Sequence, residues 1–278
     1  MNTPVPVSFE FFPPKTEVGY EKLLKAHDEL KVANPEFFSV TYGAGGSTQE
    51  RTIETVIELN RRGVPAAPHL SCIGSTKETV HALLTRYKEA GIKRIVALRG
   101  DLPSGMMGTG GDFNFASDLV RYVKAEFGDD FAIEVAAYPE MHPQAANLDK
   151  DIDHFVAKAK EGADSAITQY FYNVSAYKHF VDEVRKRGCD IEIVPGIMPI
   201  TNYSNLARFS DACGADIPRW MRKALETCGD DVQRIRSIGL NFVVDLCNEL
   251  IAAGAPKLHF YSMNQSGPTL AILEKLNK

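Results

Sequence analysis

Eight short runs rich in β-branched and aromatic residues recur along the chain, at 5–12, 37–42, 66–72, 94–100, 132–138, 165–172, 191–198 and 257–263. Between them lie segments in which apolar residues return every three or four positions, such as Tyr20, Leu23, Leu24, His27 and Leu30, or Ile53, Val56 and Ile57. That spacing is helical. Strands that alternate with helices pair in parallel, because returning to the same end of a sheet takes a crossover, and crossovers are nearly always right-handed. Eight such units predict an α/β chain closed into one (β/α)8 barrel. The alternative is an open doubly wound sheet, weakened by the lack of a Gly-x-Gly-x-x-Gly turn after an early strand.

The punctuation agrees with the periodicity. Ser47 with Glu50, and Ser75 with Glu78, have the spacing of a capping box and predict two helix starts. Gly63, Gly91, Gly128, Gly162, Gly188 and Gly254 each close a helical stretch before the next strand. The 203–253 stretch holds two or three helices before the last strand, a local elaboration of a single domain spanning 1–278.

The 278 residues, 44% hydrophobic and 24% charged, suffice for one large core. A net charge of -5 speaks against nucleic-acid or anionic-membrane partners. No apolar run reaches membrane-spanning length, and the N-terminus lacks a signal pattern, so a cytoplasmic location is expected. The five cysteines are an odd set without a Cys-x-x-Cys pair and are expected to be reduced, mostly buried thiols. Cys72 near His69 could be a nucleophile; a small buried hydrophobe is the stronger reading. No His/Asp/Glu cluster has metal-ligand spacing.

In a (β/α)8 barrel the active site forms at the carboxyl ends of the strands. Glu10 ends the first run, and alternation sets it opposite Phe9 and Phe11. Aromatic walls there would raise its pKa and keep a proton available near neutral pH. A solvated strand-end carboxylate is the bland alternative. Thr41, Tyr42, His69, Arg99, Asp101, Tyr138, His142, Gln169, Asn264 and Gln265 hold equivalent positions around the ring. Each alone reads as a structural polar residue. Crowded at one end of one barrel they mark an enzyme, since such groups are costly in a purely structural core. Gly43-Ala44-Gly45-Gly46-Ser47 leads into a helix and could cradle a phosphate, though a plain tight turn fits equally. Arg99-Gly100-Asp101, an adhesion tripeptide elsewhere, here continues a buried strand.

Longer strings name a family. Phe9-Glu10-Phe11-Phe12-Pro13-Pro14, Ser39-Val40-Thr41-Tyr42-Gly43-Ala44, Ala67-Pro68-His69-Leu70 and Ala97-Leu98-Arg99-Gly100-Asp101-Leu102-Pro103 resemble successive signatures of bacterial methylenetetrahydrofolate reductases. So do Ala137-Tyr138-Pro139-Glu140 with His142-Pro143, Ile167-Thr168-Gln169, Pro195-Gly196-Ile197-Met198-Pro199 and His259-Phe260-Tyr261. The match runs from the first strand to the eighth.

The resemblance implies a barrel with non-covalent FAD that takes hydride from NADH or NADPH in a ping-pong order and reduces 5,10-methylenetetrahydrofolate to 5-methyltetrahydrofolate, feeding methionine synthesis. It implies Glu10 as the general acid for ring opening, Asp101 as the aspartate beside the pterin that tunes the flavin, and Gln169 as a folate and nicotinamide ligand. Thr41, Tyr42, Ala44, His69, Arg99, Gly100, Asp101, Ala116, Tyr138, His142, Ala145, Asp151, His154 and Lys158 fall at flavin-contact positions, with Lys158 and Arg99 offsetting pyrophosphate charge. Asn205 and Gln265 fall at folate-contact positions, in place of a commoner glutamine and arginine. His154 and Phe115 replace a frequent asparagine and tyrosine at the flavin's edge. A homo-oligomer is expected, and inhibition by S-adenosylmethionine is not. The rivals are another barrel flavoenzyme, such as one resembling proline dehydrogenase, and an inactive flavin- or folate-binding subunit.

Overall fold

A computed structural model of the chain describes residues 3–42, 46–100 and 110–276. In chain order the elements are β1 (Val7–Phe11), α1 (Glu17–Leu30), β2 (Phe38–Val40), α2 (Gly46–Arg61), β3 (Ala66–Ser71), α3 (Lys77–Glu89), β4 (Arg94–Leu98), α4 (Ala116–Phe127), β5 (Ala132–Ala137) and α5 (Leu148–Lys160). They continue with β6 (Ser165–Thr168), α6 (Val174–Lys186), β7 (Glu192–Val194), β8 (Gly196–Ile197), α7 (Tyr203–Cys213), α8 (Arg219–Glu226), α9 (Val232–Ala252), β9 (Leu258–Tyr261) and α10 (Gly267–Leu276).

All strand pairs are parallel, in the order β7-β6-β5-β4-β3-β2-β1-β9-β8. The two ends of that order, β7 and β8, are halves of one run interrupted by Pro195. Proline has no N–H for a ladder bond, so the run bends there. β7 pairs with β6 and β8 with β9, and the bend carries the sheet round into a nearly closed barrel. The backbone N–H of Gly196 donates to Thr168 Oγ1 at 2.9 Å, and that of His259 to Pro195 O at 3.0 Å, sealing the corner. The single run at 191–198 thus becomes two short strands.

Alternation along β1 separates two chemistries. Phe9 and Phe11 are fully buried in the shell between sheet and helices, where Phe11 stacks on Phe38. Ser8 and Glu10 lie on the other face, inside the barrel with a small apolar cluster of Phe37, Ala67, Val96 and Ile167. At the amino-terminal end Arg94 pairs with Glu134, which also accepts from Ser165, and the guanidinium covers the Phe37 ring at 4.7 Å. These contacts fill the amino-terminal end of the barrel interior.

All six helix-closing glycines have positive φ. The third helix is capped one residue later than the serine spacing predicts: Thr76 and Thr79 form the box, and Glu78 sits in the first turn. The 203–253 stretch forms three helices, α7, α8 and α9. Among the described residues no helix is long and apolar enough to cross a membrane.

Candidate active site

The carboxyl-terminal mouth holds a cavity of about 600 Å³ with Glu10 and His69 at its base, walled by Leu98, Ala136, Tyr138, His142, Ile167, Gln169, Tyr170, Met198, Phe209, Tyr261 and Met263 among others. Glu10 is 6% exposed. Its Oε2 lies 3.2 Å from His69 Nε2 and 3.6 Å from His259 Nε2, with Ser39 Oγ at 3.5 Å. Neither ring N–H is aimed squarely at the carboxylate, so the attraction is chiefly electrostatic. On the far side of His259, Nδ1 is 2.7 Å from Ser8 Oγ. If Ser8 donates that bond, the imidazole keeps its other proton on Nε2, toward Glu10.

This corrects the expectation of a raised Glu10 pKa. Burial does push the carboxyl upward, but the two histidines outweigh it and hold the group down at about 2. The aromatic neighbours, Phe9 and Phe11, face away into the shell. The ligand-free site therefore holds an ionised carboxylate.

The expected residues sort into three groups. Glu10, His69, Tyr138, His142 and Gln169 meet in the mouth. Tyr138 and His142 pack edge to face at 4.5 Å; the His142 N–H donates to Asp151 Oδ2 at 2.7 Å, and the Ala145 N–H to His142 O at 2.9 Å. Gln169 Oε1 accepts from the Tyr170 N–H at 3.0 Å, which leaves its amide nitrogen for a ligand. A second group flanks the β4–β5 side. Arg99 Nη2 donates to Gln144 Oε1 at 2.7 Å. Lys158, on α5, donates to Ala136 O at 2.6 Å, and burial pulls its ammonium down to about 8 against the opposing pull of Asp151. Away from that side, Thr41 at the end of β2 donates its N–H to Phe11 O at 2.9 Å and Tyr42 is half-buried beside it, while Ala116 opens α4 after β4. His154 is exposed on α5.

Gly100 has φ +88°, and a Cβ there would fall 2.0 Å from Ser71 Oγ. Only glycine fits. The third group, Asn205 on α7 and Gln265 after β9, lies outside the mouth, Gln265 in a separate groove. Ala44 and Asp101 lie outside the described residues.

Several groups were not among the expected site residues: His259 and Ser8, which stand behind Glu10, and Tyr261, Phe209 and Tyr170, which line the mouth. A period-two signal existed for the first three, since His259 and Tyr261 alternate with Leu258 and Phe260 as Ser8 and Glu10 do with Phe9. Register β1–β9 then sets Ser8 opposite His259 and Glu10 opposite Tyr261. Phe209 had no such signal, because it reaches the mouth from a helix of the elaboration. Tyr170 joins that helix through Ser210 Oγ at 3.0 Å. Cys72 is buried and its thiol pushed up to about 11 by that burial, so it is no nucleophile.

A profile of the family described as methylenetetrahydrofolate reductase matches residues 2–277. The chain is 39% identical over 271 residues to the 5,10-methylenetetrahydrofolate reductase of Escherichia coli (strain K12), covering 97% of this chain and 90% of that one. Methylenetetrahydrofolate reductase 1 of Schizosaccharomyces pombe is 40% identical over 277 residues, 98% of this chain and 46% of that longer one. Among solved structures, an uncharacterized protein from Clostridium thermocellum, described as binding two copies of 5-methyl-5,6,7,8-tetrahydrofolic acid, superposes with a TM-score of 0.67 at 16% identity, covering 98% and 94% of the two chains. That last likeness speaks for the fold alone. Similarity carried at this level from the first strand to the last, through the strands that build the mouth, makes this chain a member of the methylenetetrahydrofolate reductase family, enzymes that reduce methylenetetrahydrofolate to methyltetrahydrofolate.

Proposed function

We propose that the chain is a single catalytic domain that works with non-covalent FAD and a nicotinamide donor, the nicotinamide and the folate using the same face of the mouth in turn. The observation that carries this is the carboxylate of Glu10, buried between His69 and His259 beneath an apolar cavity. A flavin bound there would supply hydride transfer, the chemistry the side chains lack.

The residues fit such a group. Among the described residues neither Arg99 nor Lys158 has a carboxylate within ion-pair distance, although the chain is acidic overall. Half-buried cations without anions suit a diphosphate. Leu98, Ala136 and Ile167 offer an apolar wall for a ring.

Reduction of methylenetetrahydrofolate needs a proton on the nitrogen that departs when the imidazolidine ring opens. Glu10 delivers it once a bound substrate has displaced water and strengthened the burial that favours the neutral carboxyl. The amide nitrogen of Gln169 and the rim aromatics orient the pterin and, in its turn, the nicotinamide. Asp101, proposed to lie by the pterin, is outside the described residues.

The test uses the purified protein: a flavin spectrum, its bleaching by NADH and by NADPH, and its recovery on adding methylenetetrahydrofolate. Recovery with formation of methyltetrahydrofolate is expected. A protein that binds no FAD, or one oxidising proline and ignoring folate, overturns the reading.

A further inference from the structure

The corner at Pro195 leaves a gap that the Tyr261 side chain bridges. The β6–β7 ladder stops at Ile167 opposite Val194, and the β8–β9 ladder starts at Gly196 opposite His259. Thr168, the last residue of β6, lies beyond the first ladder, and its carbonyl is met from β9 instead: the Tyr261 hydroxyl donates to Thr168 O at 2.7 Å. β6 and β9 stand two strand spacings apart, roughly 10 Å, so the phenol has to pass over β8. It does so at Gly196, where a Cβ would fall 2.6 Å from the Tyr261 ring and 2.2 Å from Thr168 O. Glycine is required there for space, since its φ is not in the left-handed region.

What the hydroxyl holds is a peptide group. The Thr168 carbonyl and the Gln169 N–H belong to one planar unit. The carbonyl accepts from Tyr261, and the N–H donates to Ala137 O of β5 at 2.7 Å. Pinned at both ends, that plane is restrained against rocking, and it sets the direction in which the Gln169 side chain leaves the strand end. The side chain is fixed in turn by its own Oε1, which accepts the Tyr170 N–H at 3.0 Å. The Tyr261 ring is steadied edge to face by Tyr170 at 6.3 Å and by His259 at 5.5 Å. Burial and the nearby Glu10 carboxylate hold its phenol well above the usual range, so it keeps its proton and donates. The next residue, Ser262, donates its hydroxyl to Glu10 O at 2.6 Å. Two adjacent residues at the end of β9 therefore grip the strand that carries the acid and the strand that carries the amide.

We propose that Tyr261 is a positioning residue for the folate half-reaction: through the 168–169 peptide it aims the Gln169 amide nitrogen, so that the pterin lies with its departing nitrogen against Glu10. The inference rests on the function proposed above, in which Gln169 orients the pterin and Glu10 supplies the proton. The hydroxyl acts on the protein's own backbone, and its effect on the reaction passes through Gln169. Errors of aim are costly where a proton must pass between groups held by different strands.

The experiment follows reoxidation of the pre-reduced, FAD-loaded protein by saturating methylenetetrahydrofolate in stopped flow, for wild type, Tyr261→Phe, Gln169→Ala and the double variant. The rate constant is read, which does not depend on the fraction of folded protein. Tyr261→Phe is expected to lower it about tenfold, the effect of a misaimed substrate. The same change made on Gln169→Ala should cost less than about twofold, because no amide is left to aim. An unchanged rate constant in Tyr261→Phe, or an equal fold loss in both backgrounds, overturns the assignment and leaves the proposed function standing. Gln169→Ala that reoxidises like wild type overturns it too. Tyr261→Phe keeps the ring and its packing, so a melting temperature within a few degrees of wild type is expected; a variant that does not fold assigns the bond to stability and overturns the positioning role. Wild type whose flavin is not reoxidised by the folate overturns both this inference and the function it rests on.

Discussion

His69 Nε2 stands 3.2 Å from Glu10 Oε2 at the base of the barrel mouth. The carboxylate ends the fourth position of β1 and the imidazole the fourth of β3, with β2 between them, so the pair exists only because the sheet curves. Together with His259 from β9 it turns a buried acid, which burial alone would protonate, into an ionised one.

Glu10→Gln is expected to retain FAD and its reduction by the nicotinamide, while reduction of methylenetetrahydrofolate falls by about 10² to 10⁴, the usual worth of a general acid. Stopped-flow absorbance of the two half-reactions checks this. Equal loss in both halves contradicts the role.

The same carboxylate shapes acid stability. Its folded pKa of about 2 lies below the ordinary 4.5, so it contributes stability present above 4.5 and lost as pH falls from there through 2. Replacing His69 by leucine removes the first of the attractions that oppose burial. Glu10 then titrates higher, and the loss of stability moves to higher pH. Thermal melts between pH 2 and 6 on both proteins show the shift, and superimposable acid limbs count against it.

Glu140 behaves in the opposite sense. Half-buried in the β5–α5 loop, it accepts the Asp216 N–H at 2.8 Å, yet burial raises its carboxyl to about 6. Folding therefore favours the protonated form; the contribution is full below 4.5 and lost as pH rises through 6. Glu140→Gln keeps an acceptor without the charge. Its melting temperature should exceed that of wild type at pH 8 and match it near pH 4, measured by calorimetry.

Gly100→Ala combines a positive φ with a Cβ set 2.0 Å from Ser71 Oγ. A loss of about 2 kcal/mol or more is expected, from backbone strain plus overpacking. Denaturant unfolding measures it, and Ser71→Gly in the same chain should restore part of the loss. An unaltered midpoint would show that the β4 end yields freely.

Lys158→Met tests the cation at the cofactor side. The ammonium is already discouraged by burial, which lowers it to about 8. The flavin-free protein should melt no lower than wild type, while the FAD dissociation constant rises about tenfold. Unchanged FAD affinity by fluorescence titration would remove Lys158 from the cofactor site.

Much of this was legible along the chain. The strand and helix alternation, the glycines that close the helices and the inward face of β1 all follow from local periodicity and backbone stereochemistry, which a sequence carries directly. So does the grouping of Tyr138, His142 and Asp151, bound within one loop and the start of α5. The strings that resemble one family mark the ring of strand ends.

Three things were decided only in the folded molecule. Pro195 splits one run into β7 and β8, because the corner needs two different partners and proline releases the ladder between them. The charge on Glu10 depends on His69 and His259, brought from 59 and 249 residues away by closure of the barrel; electrostatics acts through distance in space, which sequence order does not record. Tyr261 reaches Thr168 because Gly196 leaves room for its ring, a packing contact between elements whose spacing in the chain carries no periodic signal. Local pattern determined the barrel and which face of each strand looks inward. Tertiary closure decided which inward groups meet, and with that the protonation state of the acid.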